Sequence, residues 1–204
     1  MSTAYELTGR RQQKTRTRNA LVAAARELLA EGRVPTVEEA ADRAEVSRST
    51  AYRYFPNQRL MLIATYPDIA RTSLLDEPAP EDPVERLDIV VGRITDSVLK
   101  HEPEARTQLR LALTPHTGED QLPFRRGRAI GWIEDALAPL RERMNDADLR
   151  RLVLAIRATS GIEALVWLTD VAGVSRQEAV DIMRSSARTL LLAALHKLPP
   201  EAGG

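Results

Sequence analysis

A chain of 204 residues without a single cysteine holds neither a disulfide nor a thiolate nucleophile, and its three scattered histidines, His101, His116 and His196, make poor material for a metal cage. Lys and Arg (29) balance Asp and Glu (29), so the total charge does not argue for a polyanion partner and the distribution has to decide. With 43% hydrophobic and 28% charged residues the composition is globular; the amino terminus lacks a signal-peptide core, and the longest apolar run, GIEALVWL, is interrupted by Glu163 and too short to span a bilayer, so a cytoplasmic protein without a membrane partner is expected.

Arg10, Arg11, Lys14, Arg16 and Arg18 cluster with no acid among them, a basic arm of which residues 1–15 are expected to be flexible. Leu21, Ala24, Ala25, Leu28 and Leu29 then follow helical spacing, and Gly32 ends that helix. Thr36 and Glu39 form a capping-box pattern that opens the short helix VEEAADRA. After EVS comes a second short helix, RSTAYRYF, stopped by Pro56, and Asn57 caps the next, with Leu60, Met61, Ile63 and Ala64. Pro67 should kink or restart it. The acidic, proline-rich DEPAPEDP at 76–83 cannot stay helical.

Beyond it the periodicity predicts five helices, at about 83–100, 103–114, 124–144, 146–171 and 175–197. Strand signals are nearly absent, and there is no repeat, low-complexity tract or Gly-rich phosphate loop. The fold class is all-α: a helix-turn-helix three-helix domain at the amino end, then a larger helical bundle.

Two short helices joined by AEVS make a helix-turn-helix arrangement. On a wheel of about 100° per residue, Ala51 and Phe55 of the second helix fall together and face inward with Val46 nearby, whereas Ser49 and Arg53 point outward. Arg48 and Tyr52 flank them on one side, Thr50 and Tyr54 on the other. That surface carries a guanidinium fork, hydroxyls and phenols, the groups that meet base edges and phosphates. A plain surface helix with solvated arginines is the competing reading. The arm, the capped helix and the short polar helix together favour DNA.

The segment RNALVAAARELLAEGRVPTVEEAADRAEVSRSTAYRYFPNQRLML resembles the DNA-binding domain of TetR/AcrR-family transcriptional regulators over about residues 14–62. Tyr-x-Tyr-Phe, followed by a polar residue and a leucine, carries the most specific part of the likeness. Two positions depart from the pattern: Glu45 stands where members usually carry glycine, and Gln58 where they usually carry lysine, a phosphate clamp. The resemblance implies DNA contacts from Thr36, Arg48, Ser49, Thr50, Tyr52, Arg53, Tyr54 and Gln58. Arg48, Ser49 and Arg53 would lie nearest the bases, with Thr36, Tyr52, Tyr54 and Gln58 on phosphates. Arg16 and Arg18 would reach the backbone or minor groove.

The same resemblance implies a DNA-binding domain at 1–58 and a ligand-binding and dimerisation domain at 59–204. The last two helices would form a homodimer interface, with Met183, Ala187, Leu190, Leu191 and Ala194 as candidates; burial in the chain's own core is the competing reading. The middle helices would enclose a small-molecule inducer, for which Tyr66, Arg110, Trp132, Glu163 and Trp167 are candidate contacts, although burial with a local partner explains each of them as well. The expected function is a homodimeric repressor released from a palindromic double-stranded DNA operator by a ligand, with no cofactor, metal or catalytic residue. An activator or a ligand-independent regulator is the nearest alternative. A helical enzyme using His116, with Glu119 and Asp120 in PHTGED, and a helical adaptor acting through protein contacts stand further off.

Overall fold

The computed structural model describes residues 3–66, 71–113 and 127–198, with side chains from residue 12 onward. Among these residues every regular element is helical and none is a strand. In chain order the helices are α1 (Thr3–Ala30), α2 (Val37–Arg43), α3 (Arg48–Tyr54), α4 (Gln58–Ala64), α5 (Pro83–Lys100), α6 (Glu102–Leu113), α7 (Arg128–Ala136), α8 (Asp146–Thr159), α9 (Ile162–Val166) and α10 (Arg176–Leu195). A 3₁₀ segment, Ala138–Glu142, follows α7, and a π turn, Trp167–Val171, continues α9. Pro67 and the stretch holding His116, Glu119 and Asp120 lie outside the described residues.

By internal contacts the chain divides into two compact units, Met1–Ile69 with Pro103–Phe124, and Ala70–Glu102 with Arg125–Gly204. The first takes in more chain than residues 1–58. Its core is the expected stripe of α1, where Leu21, Ala25, Leu28 and Leu29 are buried, together with Val37, Ala40, Ala41, Ala51, Phe55, Met61 and Leu62. From Thr3 onward the residues of the basic arm form the first turns of α1. Arg, Gln, Lys and Ala are good helix formers and no proline interrupts them, so the helix extends toward the amino end. Gly32 ends α1 as expected, at φ +78°. Arg33 N–H returns to Leu28 O at 3.0 Å and Gly32 N–H to Leu29 O at 2.9 Å, which satisfies two orphan carbonyls.

The far end of the chain segment, α6, docks on this unit through polar side chains. The Thr107 hydroxyl donates to Leu29 O at 3.0 Å, Gln108 Nε2 to Thr65 Oγ1 at 3.1 Å, and the Arg110 guanidinium to Gly32 O at 2.7 Å. Arg26 Nε donates to Thr65 O at 2.7 Å, closing the carbonyl end of α4. Thr107 and Gln108 are buried, and each would cost about 1–3 kcal/mol if left without its partner.

The second unit packs α5, α7, α8 and α10 around Leu87, Val90, Val91, Ile133, Leu137, Leu140, Val153, Ile156 and Leu191. Asp82 caps α5 by accepting from Val84 and Glu85 N–H, and Pro83 occupies the first turn, where a missing N–H costs nothing. Two arginines of α5 pin the proline-rich stretch before it. Arg93 holds Leu74 O and the Asp76 carboxylate, while Arg86 donates to Pro80 O, Asp135 O and Ala136 O.

Two expected helices are shorter than the periodicity predicts. In place of one helix at 124–144, α7 stops at Ala136 and a 3₁₀ segment begins just before Pro139, whose ring cannot donate to a continuing ladder. In place of one helix at 146–171, α8 stops at Thr159. The Thr159 and Ser160 hydroxyls both donate back to Ile156 O (2.9 and 3.0 Å), the Arg157 guanidinium takes Ser160 O at 2.6 Å, and Gly161 turns the chain at φ +134°.

Candidate nucleic-acid interface

The interface is built on α2 and α3. Thr36 caps α2 with the full reciprocal box: Glu39 N–H donates to Thr36 Oγ1 at 3.1 Å and Thr36 N–H to Glu39 Oε2 at 2.8 Å. That backbone N–H holds the Glu39 carboxyl below its usual range. Between α2 and α3 the turn closes through Val46 N–H to Ala41 O at 2.9 Å and Glu45 N–H to Asp42 O at 3.3 Å, with Glu45 itself at φ +53°. This left-handed position is the one where glycine is usual, and here a glutamate adopts it. The turn is therefore tight despite the departure.

Ser47 caps α3, its hydroxyl accepting from Thr50 N–H and donating to Thr50 Oγ1 at 2.8 Å. The helix then seats Ala51 and Phe55 in the core at 0% and 2% exposure, while Ser49 and Arg53 are exposed, as the wheel requires. Arg53 has no ion-pair partner among the described residues. Arg48 lies 3.6 Å from the Asp42 carboxylate, an exposed pair that a phosphate or base edge can displace at little cost. Tyr54 is half-buried and leans on the core.

Two expected contacts are already engaged. The Tyr52 hydroxyl donates to Glu38 Oε1, which lowers the Glu38 pKa and raises that of Tyr52. Gln58 Nε2 donates to Pro35 O at 2.9 Å, tying the start of α4 to the loop before α2; the second N–H of the amide remains for a phosphate. Arg16 and Arg18 are exposed on α1, with the Arg18 guanidinium 5.5 Å from the centre of the Phe55 ring, within cation–π range. Glu38 was not among the residues expected here. Its partner lies on another helix, and only an acid beside a cap marked it in the sequence.

The ligand candidates are divided between the two units. Tyr66 and Arg110 belong to the first unit, and Trp132, Glu163 and Trp167 to the second. Trp132 Nε1 donates to Arg71 O at 3.0 Å, Glu163 is exposed and lies 3.4 Å from Arg157, and Trp167 is 58% exposed. A cleft of about 370 Å³ opens between α5 and α10, lined by Asp82, Val84, Glu85, Asp88, Ile89, Arg184 and Arg188. Of the dimer candidates, Met183, Ala187 and Leu191 are buried within their own unit, and Leu190 and Ala194 pack against the same core. The large exposed apolar side chains of this part of the chain are Leu154, Trp167, Val171 and Leu192.

Residues 21–65 match the family model described as bacterial regulatory proteins, tetR family. No curated protein matches the chain. Among solved structures, a TetR transcriptional regulator from Rhodococcus sp. RHA1 is 22% identical, covering 88% of this chain and 98% of its own, with a TM-score of 0.57. TylP, a TetR regulator from Streptomyces fradiae, is 20% identical, covering 91% of this chain and 92% of its own, at 0.62. SmeT in complex with triclosan is 19% identical, covering 91% and 93%, at 0.55. At these identities the structural likeness speaks for the fold.

Proposed function

Because the chain carries the amino-terminal domain of the TetR family of bacterial regulatory proteins, we propose that it is a sequence-specific, homodimeric transcriptional repressor released from a palindromic operator by a small molecule. The observation that carries this reading is α3 itself, where Ala51 and Phe55 anchor the helix and Ser49 and Arg53 stand clear on its outer side. Ser49 is small enough to let the helix settle into a major groove, and the Arg53 fork suits a guanine edge. Residues 1–58 read DNA in this scheme, residues 59–204 bind ligand and pair two copies, and the protein works in the cytoplasm without chemistry of its own.

Two half-sites require two reading heads, which is the physical case for a dimer. Leu154, Trp167, Val171 and Leu192 support it by supplying apolar surface outside the core. The ligand arm rests on fold likeness to a regulator solved with triclosan, and a ligand acts only by binding the released form more tightly than the DNA-bound one.

Selection of bound duplexes from random DNA, followed by binding across a salt series, tests the reading. Wild-type protein should enrich a two-fold motif. Arg53→Ala should relax the preference at one position of each half-site and weaken binding by about 1–3 kcal/mol per half-site. Enrichment of no motif, or sequence-blind binding indifferent to salt, would sink the proposal. A variant that leaves regulation intact would point to an adaptor.

A further inference from the structure

We infer that Glu38 and Tyr52 together form a base-reading element that selects a cytosine in each half-site, an inference that rests on the DNA-binding reading above. A phenol has one proton to donate, and that of Tyr52 goes to Glu38 Oε1. With the proton engaged, the Tyr52 oxygen presents lone pairs only, and an ionised carboxylate is likewise an acceptor without a donor. A phosphate oxygen is an acceptor too. Held in this way the pair offers a phosphate no donor, and the carboxylate repels one.

The groups able to meet such a pair are donors. In the major groove these are the amino groups of cytosine and adenine; guanine O6 and N7 and thymine O4 are acceptors and are turned away. Adenine sets N7, an acceptor, beside its amino group, whereas cytosine presents its N4 amino group alone, so cytosine fits the pair better.

The placement supports the assignment. Tyr52 is 41% exposed on the same flank of α3 as Arg48, beside the outward Ser49 and Arg53. Glu38 stands in the first turn of α2, where its carboxylate also meets its own backbone N–H, while Glu39 is the acid that completes the capping box. The Tyr52 hydroxyl first, then Glu38's own backbone N–H, the Arg48 charge and the Thr36 hydroxyl lower the Glu38 pKa.

Selection from random duplexes with wild-type protein, Glu38→Ala, Glu38→Gln and Tyr52→Phe tests the inference, with thermal melting to establish that each variant folds. Wild-type should enrich a cytosine whose replacement by thymine costs roughly tenfold in affinity. Glu38→Ala should level that position and keep the rest of the motif. Glu38→Gln should move the preference toward adenine, which a carboxamide pairs through N6 and N7. Tyr52→Phe should retain cytosine through the carboxylate with a smaller preference. If both Glu38 variants keep the wild-type motif while binding every sequence more tightly, Glu38 is only a repelling charge and the inference fails. A uniform loss with an unchanged motif in Tyr52→Phe would place that hydroxyl on phosphate and also overturn it. Wild-type protein that enriches nothing defeats the DNA-binding reading itself, a result distinguishable from either.

Discussion

Glu45 holds a left-handed backbone at φ +53° so that Val46 and its own N–H can close the end of α2, and a side chain with a Cβ gives up about 1–2 kcal/mol there. Glu45→Gly should therefore stabilise the first unit, by roughly 1 kcal/mol once the extra freedom of glycine in the unfolded chain is deducted, and a thermal melt reads it as a higher midpoint. Gln58 poses the opposite question. Its amide tethers α4 to Pro35 O and carries no charge toward a phosphate. Gln58→Lys should tighten DNA binding and steepen the slope of log affinity against log salt by about 0.9 for each half-site, the value of one added phosphate contact per protomer. An unchanged slope in an anisotropy titration means that position 58 does not face the backbone. At this scale the wheel sorted Ala51 and Phe55 from Ser49 and Arg53 because a single helix obeys one period. The Glu38–Tyr52 pair was not legible, since it depends on how two helices cross and no spacing within either one encodes that.

Caps and stripes made most elements readable before any coordinates: Thr36 with Glu39, Asn57, and the Leu21 to Leu29 stripe all do what their chemistry predicts. The break after α8 was hidden for a physical reason. Gly161 lies inside an apolar pattern that remains helical in period on both sides, while the hydroxyls of Thr159 and Ser160 draw Ile156 O away from the ladder. At φ +134° Gly161 adopts a backbone that residues with a Cβ rarely take, and a Cβ there would also displace the end of the Arg157 side chain that holds Ser160 O. Gly161→Ala is expected to destabilise the protein by about 1–3 kcal/mol, measured by denaturant unfolding. Thr107 and Gln108 were equally hidden. Both are polar residues of ordinary helical sequence, and only docking makes their partners Leu29 O and Thr65 Oγ1 known.

On the scale of the whole molecule, an amphipathic pattern does not say which apolar face meets the chain's own core when a helix carries apolar residues on more than one side. In α10 the small-and-leucine stripe of Ala187 and Leu191 packs into the core, leaving Leu192 46% exposed. Two substitutions one residue apart should therefore separate folding from assembly. Leu191→Ala should lower stability by about 2–5 kcal/mol, as a cavity in a packed core does. Leu192→Glu should leave the melt nearly unchanged and shift the sedimentation of the protein toward a single copy, if this face joins two chains as proposed. Equal sedimentation of wild type and Leu192→Glu would remove that face from the interface.

Amide exchange makes a consequence of α1 visible. Its hydrogen-bonded ladder is continuous from Thr3 to Ala30, yet from residue 12 to residue 20 its side chains are exposed save half-buried Thr17, and burial begins at Leu21. A ladder tied to the core by little more than the Arg18 guanidinium over the Phe55 ring opens with little disturbance of that core, whereas one that covers a core opens only with it. Deuterium should thus enter the amides of residues 12–20 far ahead of those of 21–30, dividing one geometric helix into two kinetic bodies. An operator that lowers uptake in the first body alone would reveal that the basic turns become rigid when their charges meet phosphate.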